Sequence, residues 1–210
     1  MAPKSLLLIG ASGHGKVVAD IAVRNGFRIL GFLDDDAHKH GLRVGDIPVI
    51  GGTRALAKRI MDTRSDVVVS IGCNRMRGKL AAMAESAGAV IVTLVHPAAV
   101  LARDVRLGAG TVIMGGVVIN SGVRVGLNAI VNTGATVDHD CVFDDNVHIS
   151  PGANLAGGVR VGAHSHIGIG AVVIQGIHIG AQCMVGAGAV VIRDVADGTT
   201  VVGNPARPLP

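Results

Sequence analysis

The side chains best suited to moving a proton lie two thirds of the way along the chain, where His139 and Asp140 end the stretch Asn132-Thr-Gly-Ala-Thr-Val-Asp-His-Asp140. A neutral imidazole accepts a proton near pH 7, and a neighbouring carboxylate orients it and raises its basicity. The pair is a candidate general base, and an ordinary surface pair is the alternative. His148 follows nine residues later, with further histidines at 164, 166 and 178, so metal binding is a competing chemistry. No carboxylate-flanked trio with ligand spacing accompanies them, and no metal is expected. An activated nucleophile is also missing from the pattern. Cys141 falls among small apolar residues, and no serine occupies a strained elbow.

A second set of polar groups lies near the start. Gly10-Ala-Ser-Gly-His-Gly15 follows the apolar run Ser5 to Ile9 and reads as a glycine-rich turn entering a helix. Backbone N–H groups in such a turn approach phosphate closely at a helix N-terminus. Gly10, Gly13 and Gly15 do not match the dinucleotide fingerprint, so NAD is not the expected ligand. A nucleotide-linked ligand fits, and a ligand-free strand-to-helix turn is the alternative. Asp34 and Asp35 end the second apolar run and could bond ribose or sugar hydroxyls, or form a solvated loop.

These groups need scaffolds, and the chain encodes two. From Leu101 to Val191 an aliphatic residue or Phe occupies every sixth position, and four residues after each comes a small or β-branched residue such as Thr111, Ala129, Cys141, Ser165 or Cys183. A six-residue period is the mark of a parallel β-helix, whose coils must stack to bury their interior rows. Three Phe with no Trp or Tyr suit so narrow an interior. Glycines such as Gly108, Gly126, Gly162, Gly168, Gly180 and Gly186 are expected at tight corners with unusual dihedrals. With three hexads to a coil, as in known hexapeptide proteins, His148 and His166 would stack on one edge.

The first hundred residues alternate instead. Strands are expected at Ser5 to Ile9, Arg28 to Leu33, Asp66 to Ile71 and Val90 to Val95, and helices at Lys16 to Asn25, Thr53 to Asp62 and Met76 to Ala87. This predicts a small parallel sheet covered by helices, with ligands at the carboxyl ends of its strands. His96-Pro97 marks the join, which gives an α/β domain over 1–97 and a β-helix over 98–210.

Composition excludes several functions. A net charge of +4, scattered and without stacking aromatics, does not support nucleic acid binding. Leu6 to Ile9 is too short for a signal segment or a membrane span, so no membrane insertion is expected. Three Cys at unrelated spacings describe no disulfide framework, and reduced thiols point to the cytoplasm.

Taken jointly, Ile9-Gly-Ala-Ser-Gly-His-Gly15, Phe32-Leu-Asp-Asp35, Ser70-Ile-Gly-Cys-Asn74 with Arg77, His96-Pro97, Asn132-Thr133, Asp138-His-Asp-Cys141 and Val202-Gly-Asn-Pro-Ala206 carry a resemblance over nearly the whole chain. The chain resembles the bacterial nucleotide-sugar acetyltransferases of the left-handed β-helix superfamily, which include UDP-4-amino-sugar and GDP-perosamine N-acetyltransferases and sialic acid O-acetyltransferases. The resemblance implies a homotrimer that binds acetyl-CoA between adjacent β-helices, in glycan or lipopolysaccharide biosynthesis. It implies that Ser12, Gly13, His14, Asp34, Asp35 and Gly72 contact a nucleotide-linked 4-amino-6-deoxy sugar. It also implies that His139 is the general base, tuned by Asp140, and that His148, Ile169 and Ala187 line the acetyl-CoA path. Many relatives carry Glu where this chain has Asp140. Sialic acid O-acetylation and non-catalytic nucleotide-sugar binding are the rival readings.

Overall fold

The computed structural model describes residues 3–209 and divides into two compact units, the first ending at Pro97 and the second beginning at Ala98. In the first, β1 (Ser5–Ile9) pairs in parallel with both β2 (Arg28–Leu33) and β5 (Asp66–Val69), giving the order β2-β1-β5. Between β2 and β5 lie the hairpin β3 (Arg43–Val44) and β4 (Ile47–Pro48), two 3-10 turns and helix α2 (Leu56–Thr63). The core gathers Leu7, Ile9, Leu33, Val67 and Val69 of the sheet with Leu56 and Ile60 of α2 and Leu80 and Ala84 of α3 (Asn74–Ser86). Those helical residues recur at spacings of four, which puts them on one face.

Two expectations need correction here. Helix α1 spans Gly13–Arg24, so the glycine turn contributes its last three residues to the first helical turn. Gly15 can enter the helix because its missing side chain lets α1 pack on the Gly10 carbonyl, 2.5 Å from where a Cβ would stand. Val90 to Val95 is not one strand. It touches the sheet through a single bridge between Ile91 and Val67, and only Leu94–Val95 is extended as a strand. Past α3 the chain bonds β5 at Val67, whose N–H donates to the Val90 carbonyl and whose carbonyl accepts from the Val92 N–H.

From Ala98 the chain winds into a parallel β-helix. Each strand pairs in register with the strand 18 residues later, as in Val118 with Thr136, Val142 with Arg160 and His148 with His166. Three hexads therefore make one coil, with three sheet faces and three corners. The sixth-position residues from Ile113 to Val191 are all buried, while Leu101 and Leu107 at the first coil are half-buried because no earlier coil covers them. The second slot is buried from Thr111 onward, and its hydroxyls turn back to the chain. Thr111 Oγ1 donates to the Gly126 carbonyl and Ser165 Oγ to the Gly180 carbonyl, which avoids the penalty of an unbonded polar group in an apolar core.

The glycine expectation also needs correction. Left-handed corners fall at Gly110, Gly116, Gly122 and their successors, and at Asn128, Asp140, Asn146, His164 and Gln182. Gly108, Gly126, Gly162, Gly168, Gly180 and Gly186 do not take positive φ. Close stacking explains them: a Cβ on Gly108 would lie 2.5 Å from the Gly126 carbonyl. His148 and His166 likewise stack within a sheet face and not on a corner, with ring centroids 4.5 Å apart.

Candidate active site

His139 and Asp140 occupy one corner of the β-helix, between strands Thr136–Val137 and Val142–Phe143. Asp140 takes the left-handed conformation at φ 58°, which a short polar residue tolerates and which turns its carboxylate back toward its neighbour. Its Oδ2 accepts a hydrogen bond from His139 Nδ1 at 2.9 Å. Both side chains face solvent, at 62% and 74% exposure. Asp138 braces the turn: its Oδ1 accepts from the His139 N–H and from Asn120 Nδ2, each at 2.8 Å. The hydrogen bond to Asp140 raises the His139 pKa above 6.5, and the charge of Asp138 adds to it. With Nδ1 engaged, Nε2 has no hydrogen-bond partner among the described residues and is the nitrogen able to take a proton.

Other candidates are placed elsewhere. Ile169, 61% exposed, and Ala187 lie one coil apart on a different corner. His148 is 7% exposed in a sheet face, with Nε2 3.2 Å from Asn132 Nδ2. The Thr133 N–H donates to Asn132 Oδ1, so the amide presents its NH₂ to the ring. In this orientation the Asn132 amide can donate to His148 Nε2. A single chain does not bring His139 together with Ile169 and Ala187. Cys141 is fully buried and its thiol is pushed up to about 11 by burial, so it holds almost no thiolate at neutral pH. Cys141 and Cys183 are both unpaired thiols. Among the described residues no three His, Cys, Asp or Glu side chains converge as a ligand set.

In the first unit, a cavity of about 200 Å³ opens at the carboxyl ends of the sheet, lined by Gly10, Leu33, Asp34, Asp35, Thr53 and Ile71 among others. Asp34 is tied to the scaffold: Oδ2 accepts from the Ala11 N–H at 2.8 Å and from Lys39 Nζ at 2.9 Å. Burial pushes its pKa up, but the bonds from Lys39, Asp36 and Ala11 outweigh this and leave it lowered. Asp35 accepts from both the N–H and the hydroxyl of Thr53. Both carboxylates thus hold loops as well as facing the cavity. Ser12 and Gly13 are exposed, and Ser12 makes no side-chain cap to α1, so N–H groups of that helix end stay open to an anion.

His14, next in the chain, is lowered to about 4 by burial and then by the charge of Arg77, and stays neutral at physiological pH. Gly72 belongs to a turn held by Arg77, whose guanidinium donates to the carbonyls of Ile71 and Gly72 and to Asn74 Oδ1. Arg77 is 1% exposed, and burial lowers it to about 10. Its structural part was not evident from residue type, since an arginine on a helix reads as surface.

A small parallel α/β unit and a β-helix of three hexads to a coil, with an exposed His–Asp pair at one corner, define a two-unit hexapeptide-repeat protein. Residues 5–84 match the PglD N-terminal domain family. Over 98% of this chain and 97% of the other, the structure superposes at TM-score 0.94 and 40% identity on a histidine-to-asparagine variant of perosamine N-acetyltransferase from Caulobacter crescentus, in complex with CoA and GDP-perosamine. The acetyltransferase domain of PglB from Neisseria gonorrhoeae FA1090 is 41% identical, with TM-score 0.92, over 98% of this chain and 100% of that one. The UDP-N-acetylbacillosamine N-acetyltransferase of Bacillus subtilis (strain 168) is 38% identical over 114 residues, 53% of this chain and 51% of that protein. This match thus spans about half the length of the curated relative. The chain belongs to the nucleotide-sugar acetyltransferases of the left-handed β-helix, hexapeptide-repeat superfamily.

Proposed function

We propose that this protein transfers the acetyl group of acetyl-CoA to the amino group of a nucleotide-linked 4-amino-6-deoxy sugar, with His139 as general base. The observation that carries the mechanism is the His139–Asp140 bond, which fixes the ring through Nδ1 and leaves Nε2 for the substrate. The amine attacks the thioester carbonyl carbon, and a tetrahedral intermediate forms. His139 Nε2 takes the proton that the nitrogen must shed, and collapse breaks the C–S bond. CoA leaves as the thiolate and gains a proton, so one amide and one thiol are produced. Burial of the Cys141 thiol supports direct transfer over an acyl-enzyme. Orientation of both substrates in one cleft supplies much of the acceleration.

The first unit, to Pro97, is assigned to the nucleotide sugar through Ser12, Gly13, His14, Asp34, Asp35 and Gly72, supported by the cavity at its sheet ends. The β-helix is assigned to acetyl-CoA, along His148, Ile169 and Ala187. Because these residues and His139 occupy different sides of one β-helix, the site is read as a cleft between copies of a homotrimer. No helix among the described residues is long and apolar enough to cross a membrane, and unpaired Cys141 and Cys183 favour the cytoplasm as its compartment. The test is thiol release from acetyl-CoA with a panel of UDP-, GDP- and dTDP-linked 4-amino-6-deoxy sugars. Turnover with at least one is expected. Transfer only to sialic acids, or binding of nucleotide sugars without consumption of acetyl-CoA, would overturn the reading.

A further inference from the structure

Each coil offers one residue at the His139 corner, and along the stack the series runs Arg103, Ser121, His139, Gly157, Gln175 and Arg193. Side chains are accepted at that position in every coil except the one directly after His139. Gly157 does not take the left-handed conformation, so its backbone makes no demand for glycine. A Cβ there would stand 2.5 Å from His139 Nε2, 2.6 Å from Cε1 and 3.1 Å from Cδ2, and these ring atoms are its three nearest neighbours. The imidazole thus lies against bare backbone of the next coil. On the other side of the pair, a Cβ on Gly122 of the preceding coil would collide with Asp140 Oδ1.

We propose that Gly157 is a positioning residue for the reaction: its missing side chain leaves the space in which the His139 ring lies with Nδ1 on Asp140 and Nε2 toward the substrate. Any side chain at 157 pushes the ring off this seat. An ordinary carbon contact needs roughly 1 Å more than the 2.5 Å available, and misplacement by about 1 Å can cost ~100-fold in rate. The ring is the exposed end of a flexible side chain, so it yields before the coil does. The titratable groups facing it are Asp140 and Asp138 of its own turn, while the next coil contributes glycine backbone.

The kinetic part rests on His139 being the general base, and the structural part does not. Gly157→Ala is therefore measured in two ways, by kcat and by NMR titration of the His139 ring, the latter assigned by comparison with His139→Ala. The expected result is a fall in kcat of at least tenfold, together with a His139 midpoint that drops toward 6.5 as the Asp140 bond is lost. An unmoved titration overturns the proposal whether or not kcat falls, because the glycine would then act by another route. Thermal unfolding guards against a trivial loss of fold: in the His139→Ala background, adding Gly157→Ala is expected to leave the midpoint unchanged. Equal destabilisation with and without the ring overturns the proposal in favour of a backbone role. If His139→Ala proves fully active while Gly157→Ala still shifts the titration, the seat stands and the general-base reading falls.

Discussion

At His139 a general base works only when deprotonated, and its partner Asp140 holds its pKa above 6.5. Below that raised value the rate is expected to fall about tenfold per pH unit, because the neutral fraction falls so. Asp140→Asn removes the charge-assisted bond, and the acidic limb of kcat against pH should move to lower pH while the plateau drops roughly tenfold as the ring loses its orientation. An unmoved limb would separate Asp140 from the base. Cys141→Ala should retain turnover within a few-fold, since a thiol raised to about 11 takes no part in direct transfer. Its thermal cost, about 1 kcal/mol, reflects a small cavity. Asp34→Ala should cost about 1–3 kcal/mol by stranding the Ala11 N–H, and should raise KM for the sugar more than KM for acetyl-CoA.

At the scale of elements, the interior row carries the stability of the stack. Ile149 is fully buried, and Ile149→Ala is expected to lower stability by ~2–5 kcal/mol in thermal unfolding. The hexad period made this row legible, because a repeating interior restricts one residue type at a fixed step. Gly108 and its series misled for a physical reason: glycine serves both left-handed turns and close backbone approach, and spacing does not distinguish them. The real corners use Asn, Asp, His and Gln as well as Gly, so no single residue type marks them. The start of α1 inside the glycine turn escaped prediction because glycine disfavours helix, and packing of Gly15 on Gly10 overrides that preference. His139 and Asp140 stood out by chemistry, whereas Gly157 has meaning only once the 18-residue register sets it against the imidazole.

At the scale of the molecule, a single β-helix spreads His139, His148 and the Ile169–Ala187 corner over separate sides. The proposed homotrimer would let one copy's corner meet another copy's face, in keeping with cyclic assembly of identical chains. Sedimentation equilibrium should then give three times the chain mass of 21.2 kDa, and a monomer with full activity would contradict a site shared between copies. The central claim is proton abstraction by His139 from an amine in contact with acetyl-CoA. Its most direct test is thiol release by His139→Ala at saturating acetyl-CoA and the sugar that the parent turns over best. The account predicts a kcat at least ~100-fold below the parent in a folded protein; a kcat within a few-fold of the parent would contradict it.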